Sequence, residues 1–339
     1  MMIRVAINGF GRIGRRVFRL LQNHKKIEVV AINDLADAKT LSHLLKYDSV
    51  HGLFNGTVSS DENHIIANTK KVALLNNNHP KHIDWAPYNI DFVIEATGKF
   101  KTTEDLQFHI TNGAKQVILS VPPIEDDTKI IVLGVNDDSI DGTETIISNA
   151  SCTTNNAAPM IDIINKLCGI NQAYITTVHS YTTDQSLHDQ PHRDLRRSRA
   201  ASQSIVPTTT GAAKALTKIF PELSDVIGGC GIRVPVINGS LTDITFNVKR
   251  TVTISDINTA FLEASKSNYK GILEYTEDPI VSIDIVGNTH SCIFDSQMTS
   301  VIGNMVKIIG WYDNETGYSS RIIDLICNLA EKSKLLSNK

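Results

Sequence analysis

The chain has 339 residues, 41% of them hydrophobic and 20% charged, with a formal net charge of −3 at pH 7. That length accommodates two domains of ordinary size, and the slight negative charge gives no general reason to expect nucleic acid or an anionic membrane as the main partner. No apolar run approaches the roughly 18 residues of a membrane span, and the cysteines at 152, 168, 230, 292 and 327 form neither a CxxC pair nor a metal spacing, so neither a disulfide framework nor a metal site is expected.

The N-terminus enters a strand pattern directly, without the apolar region of a secretory signal, which favours a cytoplasmic protein. Ile3, Val5 and Ile7 alternate with Arg4 and Ala6, Asn8-Gly9-Phe10-Gly11-Arg12-Ile13-Gly14 follows, and Arg15 to Gln22 has helical apolar spacing at Val17, Leu20 and Leu21. Gly9, Gly11 and Gly14 match G-x-G-x-x-G. The pattern serves a tight turn, close approach of the backbone to a pyrophosphate at a helix N-terminus, and close packing of helix on strand. The second strand, Ile27 to Ile32, ends at Asn33-Asp34. Asp34 stands about 20 residues beyond the turn, where a carboxylate accepts hydrogen bonds from the adenosine ribose and repels a 2′-phosphate, favouring NAD over NADP. Three glycines can serve a turn alone. The strand before, the helix after and the acid at that distance together specify a dinucleotide site.

Asn55 to His79, rich in Asn, Lys and Ser, reads as an excursion of hairpins or loops. Asp91 to Ala96 is an apolar strand ending in Thr97-Gly98, Thr103 to Thr111 a capped helix, Gln116 to Val121 a strand before Pro122-Pro123, and Ile130 to Val135 another. Such alternation predicts a parallel sheet covered by helices. Thr97, Gly98 and Ser120 stand at strand ends, where ligands of these sheets bind and where small residues also make ordinary turns.

The polar run Ser148-Asn149-Ala150-Ser151-Cys152-Thr153-Thr154-Asn155-Asn156 leads into the apolar-periodic segment Ala157 to Leu167. Ser151, Thr153, Thr154 and Asn155 are helix-capping types, and Pro159 is expected in a first turn, so Cys152 is placed at or just before a helix N-terminus. A thiol there is biased towards thiolate; the alternative is an inert cysteine in a turn. Ala173 to Val178 reads as a strand leading to His179. One helix and one return strand after Cys152, His179 is either an ordinary polar residue or the base of an activated Cys–His pair.

Thr183 to Gln203 lacks periodicity and carries Arg193, Arg196, Arg197 and Arg199. The cluster is open as a solvated face, a nucleic-acid patch or an anion site. The interspersed Asp184, Asp189 and Asp194 argue against nucleic acid, and arginine suits a bidentate grip on phosphate. Thr208-Thr209-Thr210-Gly211-Ala212-Ala213-Lys214 sets hydroxyls and a glycine at another helix start, either a second phosphate-compatible position or a simple cap. Beyond Pro221 the pattern turns to strands, at Ile232 to Val236, Ser240 to Arg250, Ile280 to Val286 and Met305 to Tyr312, before a final helix from Ser319 to Ala330. Successive long strands predict a largely antiparallel sheet.

Taken together, Ala6 to Arg15, Ser148 to Asn155, the His179 segment, Thr208 to Lys214 and Trp311-Tyr312-Asp313-Asn314-Glu315-Thr316-Gly317-Tyr318 resemble the phosphorylating glyceraldehyde-3-phosphate dehydrogenases, over nearly the whole chain and in the same order. The resemblance implies an α/β Rossmann-type cofactor domain, residues 1–151 completed by 317–339, and an α+β catalytic domain, residues 152–316, with a mainly antiparallel sheet. It implies oxidation of glyceraldehyde 3-phosphate to 1,3-bisphosphoglycerate with NAD and inorganic phosphate, in glycolysis or gluconeogenesis. By the same resemblance Cys152 is the nucleophile, passing through a thiohemiacetal and a thioester, and His179 is its base. Thr182 and Arg233 are implied for the substrate's own phosphate, and Ser151, Thr153, Arg197, Thr210 and Gly211 for the attacking phosphate. Backbone groups of Arg12 and Ile13 are implied for the pyrophosphate, Asp34 for the ribose, and Asn314 for the nicotinamide carboxamide with Ser120 nearby.

The loop from Thr183 to Gln203 resembles the family's S-shaped loop, which packs across a subunit interface, so a homotetramer is implied. Asn156 stands where many members have a second Cys, and Gln190 stands where NAD-specific members often have Leu. Ala200-Ala201-Ser202-Gln203-Ser204 resembles the related erythrose-4-phosphate dehydrogenase, the nearest alternative. A non-catalytic redox-sensing, RNA-binding or partner-binding protein is the alternative from another class.

Overall fold

Strand Ile3–Asn8 runs through the middle of a nine-stranded sheet in a computed structural model that describes residues 2–333. On one side lie Phe92–Glu95, Gln116–Leu119, Ile146–Ser148 and Lys129–Ile130; on the other lie Ile27–Asn33, Lys70–Leu75, His64–Ala67 and Val58–Asp61. All adjacent pairs are parallel except the hairpins that add His64–Ala67 and Val58–Asp61. The central strand is buried on both faces at Val5, Ala6 and Ile7, as parallel strands covered by helices are. The Asn55 to His79 excursion is therefore mostly strand, preceded by a helix, Ala38–Lys46, whose start is capped by Asp37.

The expected strand from Ile130 to Val135 shrinks to Lys129–Ile130. Its apolar residues are buried in a turn in which the Val132 N–H donates to Asn136 Oδ1 at 2.8 Å. A short apolar run does not distinguish a strand from a buried turn.

The chain divides into two compact units. The first runs to Ile131 and includes Asp137–Ala150 and the chain from Ser319 onward; the second comprises Val132–Asn136 and Ser151–Tyr318. Of the expected segment 317–339, residues 334–339 lie outside those described. No helix among the described residues is long and apolar enough to cross a membrane.

In the second unit, helix Cys152–Cys168 packs on an eight-stranded sheet ordered Val206–Thr208, Ile227–Val234, Ile170–Ser180, Ser240–Val248, Met305–Tyr312, Cys292–Asp295, Leu273–Thr276, with Ser300–Ile302 added beside Met305–Tyr312. The pairs are antiparallel except Ile170–Ser180 with Ile227–Val234 and Leu273–Thr276 with Cys292–Asp295. Three expectations are corrected here. Pro159 lies inside its helix, past the first turn, in a stretch buried from Thr153 to Ile164; burial of that stretch outweighs the local cost of a missing amide. Ile280 to Val286 forms turns, with Val281 and Ile283 exposed and the Val281 N–H held by Asp284 Oδ2. And the all-strand reading beyond Pro221 missed helix Ile254–Lys266, which opens with a Thr253–Asp256 capping box.

Candidate functional site

The first unit supplies a cradle for a dinucleotide. Gly9 has φ +93, and a Cβ there would sit 2.7 Å from the Thr97 nitrogen; a Cβ on Gly14 would sit 2.2 Å from the Gly9 oxygen. These two glycines are required by packing of the turn on its neighbours. Gly11 differs: a Cβ there would meet nothing within 4 Å, and no side chain caps helix Arg12–Leu21. Its bareness leaves the helix start open to an anion. The Arg12 guanidinium is committed to Asp48 through Nη1 at 2.8 Å and Nη2 at 3.0 Å, so the backbone is what Arg12 and Ile13 offer a ligand. Asp34 stands beside the turn, Oδ2 accepting from the Phe10 N–H at 2.7 Å and Oδ1 from the Ala36 N–H at 3.0 Å, with lone pairs left for hydroxyl donors. The open helix start and this carboxylate fit the pyrophosphate and ribose of NAD. Gly98, at φ +66, is open around its Cα, whereas Ser120 is buried at the end of Gln116–Leu119.

The second unit carries Cys152 and His179. Ser151 is the N-cap of helix Cys152–Cys168, its Oγ accepting from the Thr154 N–H at 3.1 Å. The preceding Ala150 is left-handed at φ +57, a conformation disfavoured for a residue with a Cβ. Cys152 Sγ lies 3.4 Å from His179 Nε2. His179 Nδ1 lies 2.7 Å from the Ser180 carbonyl oxygen and 2.8 Å from Arg233 Nη1; in the tautomer that carries its proton on Nδ1, Nε2 is the acceptor that faces the sulfur.

Arg233 reaches the same place because its strand pairs in parallel with that of His179, the two residues in register. Its Nη1 is 2.8 Å from His179 Nδ1 and donates to the Ser180 carbonyl at 3.1 Å. Among the described residues Arg233 has no carboxylate ion pair. Tyr312, to which sequence reasoning gave no separate role, closes the wall. Its hydroxyl lies 2.9 Å from both Thr153 Oγ1 and Thr177 Oγ1, and its ring stands edge-on to His179 with centroids 5.9 Å apart.

Burial decides the protonation of the pair. It pushes the Cys152 thiol up, against the opposing pull of Arg233 and the Thr153 N–H. It pushes His179 down, with Arg233 adding to the effect, to about 3. Desolvation of the sulfur thus opposes the thiolate bias expected from the helix start. Burial and the neighbouring Arg197 also lower Arg233. Arg197 acts on His179 in the same sense.

Arg197 is oriented by Asp184 at 2.5 Å, by Thr208 Oγ1 at 3.0 Å and by the Thr209 carbonyl at 3.4 Å. Beside it Thr210 Oγ1 accepts from the Ala212 N–H at 3.2 Å, and Gly211, open around its Cα, begins helix Ala212–Ile219 without a side-chain cap. The structure thus brings Arg197, Thr210 and Gly211 to one stretch. Thr182 follows the His179 strand, half-buried, its carbonyl accepting from Gln185 N–H. Asn314 Oδ1 accepts from Ser180 Oγ and Ser240 Oγ, both at 2.9 Å, and from the Gly239 N–H at 3.3 Å. That fixes the amide and leaves Nδ2 as its donor. Asn156 is fully buried, its Nδ2 3.2–3.3 Å from the Ser291, Gly310 and Trp311 carbonyls, and so ties the helix to the strand ending in Tyr312.

Residues 3–103 match the family model described as the glyceraldehyde 3-phosphate dehydrogenase NAD binding domain, and residues 151–314 match the glyceraldehyde 3-phosphate dehydrogenase C-terminal domain. The chain is 46% identical over 333 residues to glyceraldehyde-3-phosphate dehydrogenase 1 of Bacillus cereus, covering 98% of this chain and 99% of that one. It is 48% identical over 334 residues to glyceraldehyde-3-phosphate dehydrogenase of Geobacillus stearothermophilus, with the same coverage. Glyceraldehyde-3-phosphate dehydrogenase 2 of Streptomyces avermitilis is 50% identical over 328 residues, 96% of this chain and 98% of the other.

Proposed function

The chain belongs to the glyceraldehyde-3-phosphate dehydrogenase family, and from that premise we propose that its oxidation of glyceraldehyde 3-phosphate runs through Cys152, with His179 as base. The protein is an NAD-dependent oxidoreductase, and the erythrose-4-phosphate and non-catalytic readings are not favoured. The observation that carries the proposal is the 3.4 Å contact between Cys152 Sγ and His179 Nε2.

As sulfur attacks the aldehyde carbon, His179 Nε2 takes the thiol proton and the carbonyl π pair moves onto oxygen. Because Nδ1 is already turned to the Ser180 carbonyl, the imidazole needs no rotation to accept, and Nε2–H can then donate to the new oxyanion. A base held in this way contributes roughly 10²–10⁴-fold. NAD, when bound, supplies the hydride acceptor. Loss of hydride leaves a thioester on Cys152. A phosphate oxygen attacks its carbonyl carbon, the C–S bond breaks to release the acyl phosphate, and His179 returns the proton to sulfur. Sulfur suits both halves, being a good nucleophile and a good leaving group.

Arg233, half-buried and without a carboxylate ion pair among the described residues, and Thr182 are assigned to the substrate's phosphate; Arg197, Thr210, Gly211, Ser151 and Thr153 to the attacking phosphate. The mutual electrostatic cost of Arg197 and Arg233 supports this, since an anion relieves it. Gly9, Gly11, Arg12, Ile13, Gly14, Asp34, Thr97, Gly98 and Ser120 are assigned to NAD, together with Asn314 through its Nδ2. Residues 1–151 with 317–339 are assigned as the cofactor domain and 152–316 as the catalytic domain. A cytoplasmic homotetramer is also proposed. Supporting it, Leu187, Leu195 and Ile205, in and just beyond the 183–203 loop, are 66%, 81% and 68% exposed, surface that subunit contact would cover. Mass spectrometry tests the covalent route: aldehyde with NAD and no phosphate should add one acyl group to Cys152, and its absence would refute it.

A further inference from the structure

Glu95, His109, Trp85 and Asn8 form a buried polar network in the first unit that the chemistry above leaves unused. Glu95 and His109 are fully buried, as is Trp85. Glu95 Oε2 accepts from Asn8 Nδ2 at 2.5 Å and from His109 Nε2 at 3.1 Å; Oε1 accepts from the Thr97 N–H at 2.9 Å and from the Thr97 hydroxyl.

The direction of every bond is fixed from its outer ends. The Trp85 indole only donates, so at 3.0 Å it makes His109 Nδ1 an acceptor and leaves the proton of the neutral ring on Nε2, pointing at Glu95. From the other end the Asn77 N–H donates to Asn33 Oδ1, Asn33 Nδ2 donates to Asn8 Oδ1, and Asn8 Nδ2 is left to donate to Glu95. Four donors converge on this one carboxylate.

Its position gives it a task. Asn8, Asn33 and Glu95 are in register at the carboxyl ends of three adjacent parallel strands, the edge where ligands of such sheets bind. Thr97, clamped by Oε1, is the residue against which Gly9 packs. Resting on the cofactor assignment made above, we propose that Glu95, oriented by His109 and Asn8, is a positioning residue for NAD binding: its carboxylate locks the Thr97–Gly98 turn and the glycine turn in one geometry. It touches neither substrate nor reacting atoms.

The test measures NAD affinity by calorimetry, kcat at saturating NAD, and the rate of Cys152 alkylation by iodoacetamide, which reads the second unit alone. Glu95→Gln puts an amide N–H where donors already point and should weaken NAD about 10- to 100-fold, with kcat and alkylation changed less than about twofold. His109→Leu should behave alike. His109→Gln, whose amide offers Trp85 an acceptor and Glu95 a donor, should restore most of the affinity. Unchanged affinity in folded Glu95→Gln and His109→Leu overturns the proposal, as does parallel loss of kcat and alkylation. If Glu95→Gln fails to fold, Thr97→Val, which removes one hydroxyl from Oε1, must weaken NAD or the proposal falls. Asp34→Gly run alongside separates the two readings: if it too leaves NAD binding intact, the cofactor assignment itself fails.

Discussion

Arg233 Nη1 lies 2.8 Å from His179 Nδ1, so one imidazole meets a guanidinium on one nitrogen and, at 3.4 Å, the Cys152 sulfur on the other. Parallel register puts Arg233 beside His179, and this half-buried cation, with no carboxylate ion pair among the described residues, is available to an anion. Together with burial it also holds His179 neutral, the form a base must have before it accepts a proton.

Cys152→Ala should abolish dehydrogenase turnover while leaving NAD affinity within about twofold, because the glycine turn and Asp34 lie in the other compact unit. Steady-state assay and calorimetry check this. Substantial residual turnover would rule out a covalent route.

His179→Gln should lower kcat/KM by about 10²–10⁴-fold. The residue also sets a pH dependence of stability. Its folded value is depressed to about 3, whereas an unfolded imidazole titrates near 6.5. Below that the unfolded chain binds a proton that the folded chain does not, so stability falls with pH, by about 2 kcal/mol at pH 5 for this one group. Wild type should therefore lose more stability between pH 7 and pH 5 than His179→Gln in parallel denaturant titrations; equal losses would mean that His179 is protonated in the fold.

Tyr312→Phe should keep the edge-on ring contact with His179 but strip the shared partner from the Thr153 and Thr177 hydroxyls. Thr177 Oγ1 keeps the Leu241 carbonyl at 3.4 Å, whereas a buried hydroxyl that loses its partner costs about 1–3 kcal/mol. A lowered melting temperature with a less than about tenfold drop in kcat is expected; a drop as large as that of His179→Gln would give Tyr312 a direct chemical role.

Asp34→Gly should raise use of NADP relative to NAD, since the carboxylate that repels a 2′-phosphate is gone. An unchanged ratio of kcat/KM for the two cofactors would remove Asp34 from the ribose.

The parts of the site legible in the sequence are those whose signals are local. Gly9, Gly11 and Gly14 sit within one turn, and Ser151 announces the helix that Cys152 begins. What stayed hidden depends on distant partners or on burial. Tyr312 acquires its place from Thr153 and Thr177, 159 and 135 residues away, and no spacing rule reaches that far. The thiolate bias expected for Cys152 came from the helix start alone, and the opposing desolvation is set by neighbours from strands elsewhere in the chain. Ile280 to Val286 carries β-branched residues like those of a strand, yet turns, because Asp284 holds the Val281 N–H locally. The Glu95 network was missed for a related reason: its residues are unremarkable singly, and only strand register aligns them.

The most direct test of the account follows NADH production from glyceraldehyde 3-phosphate with and without inorganic phosphate, with erythrose 4-phosphate run alongside. Sustained turnover of the three-carbon aldehyde is expected only when phosphate is present, with no more than about one NADH per Cys152 in its absence. Sustained turnover without phosphate, or faster turnover of the four-carbon aldehyde, would contradict it.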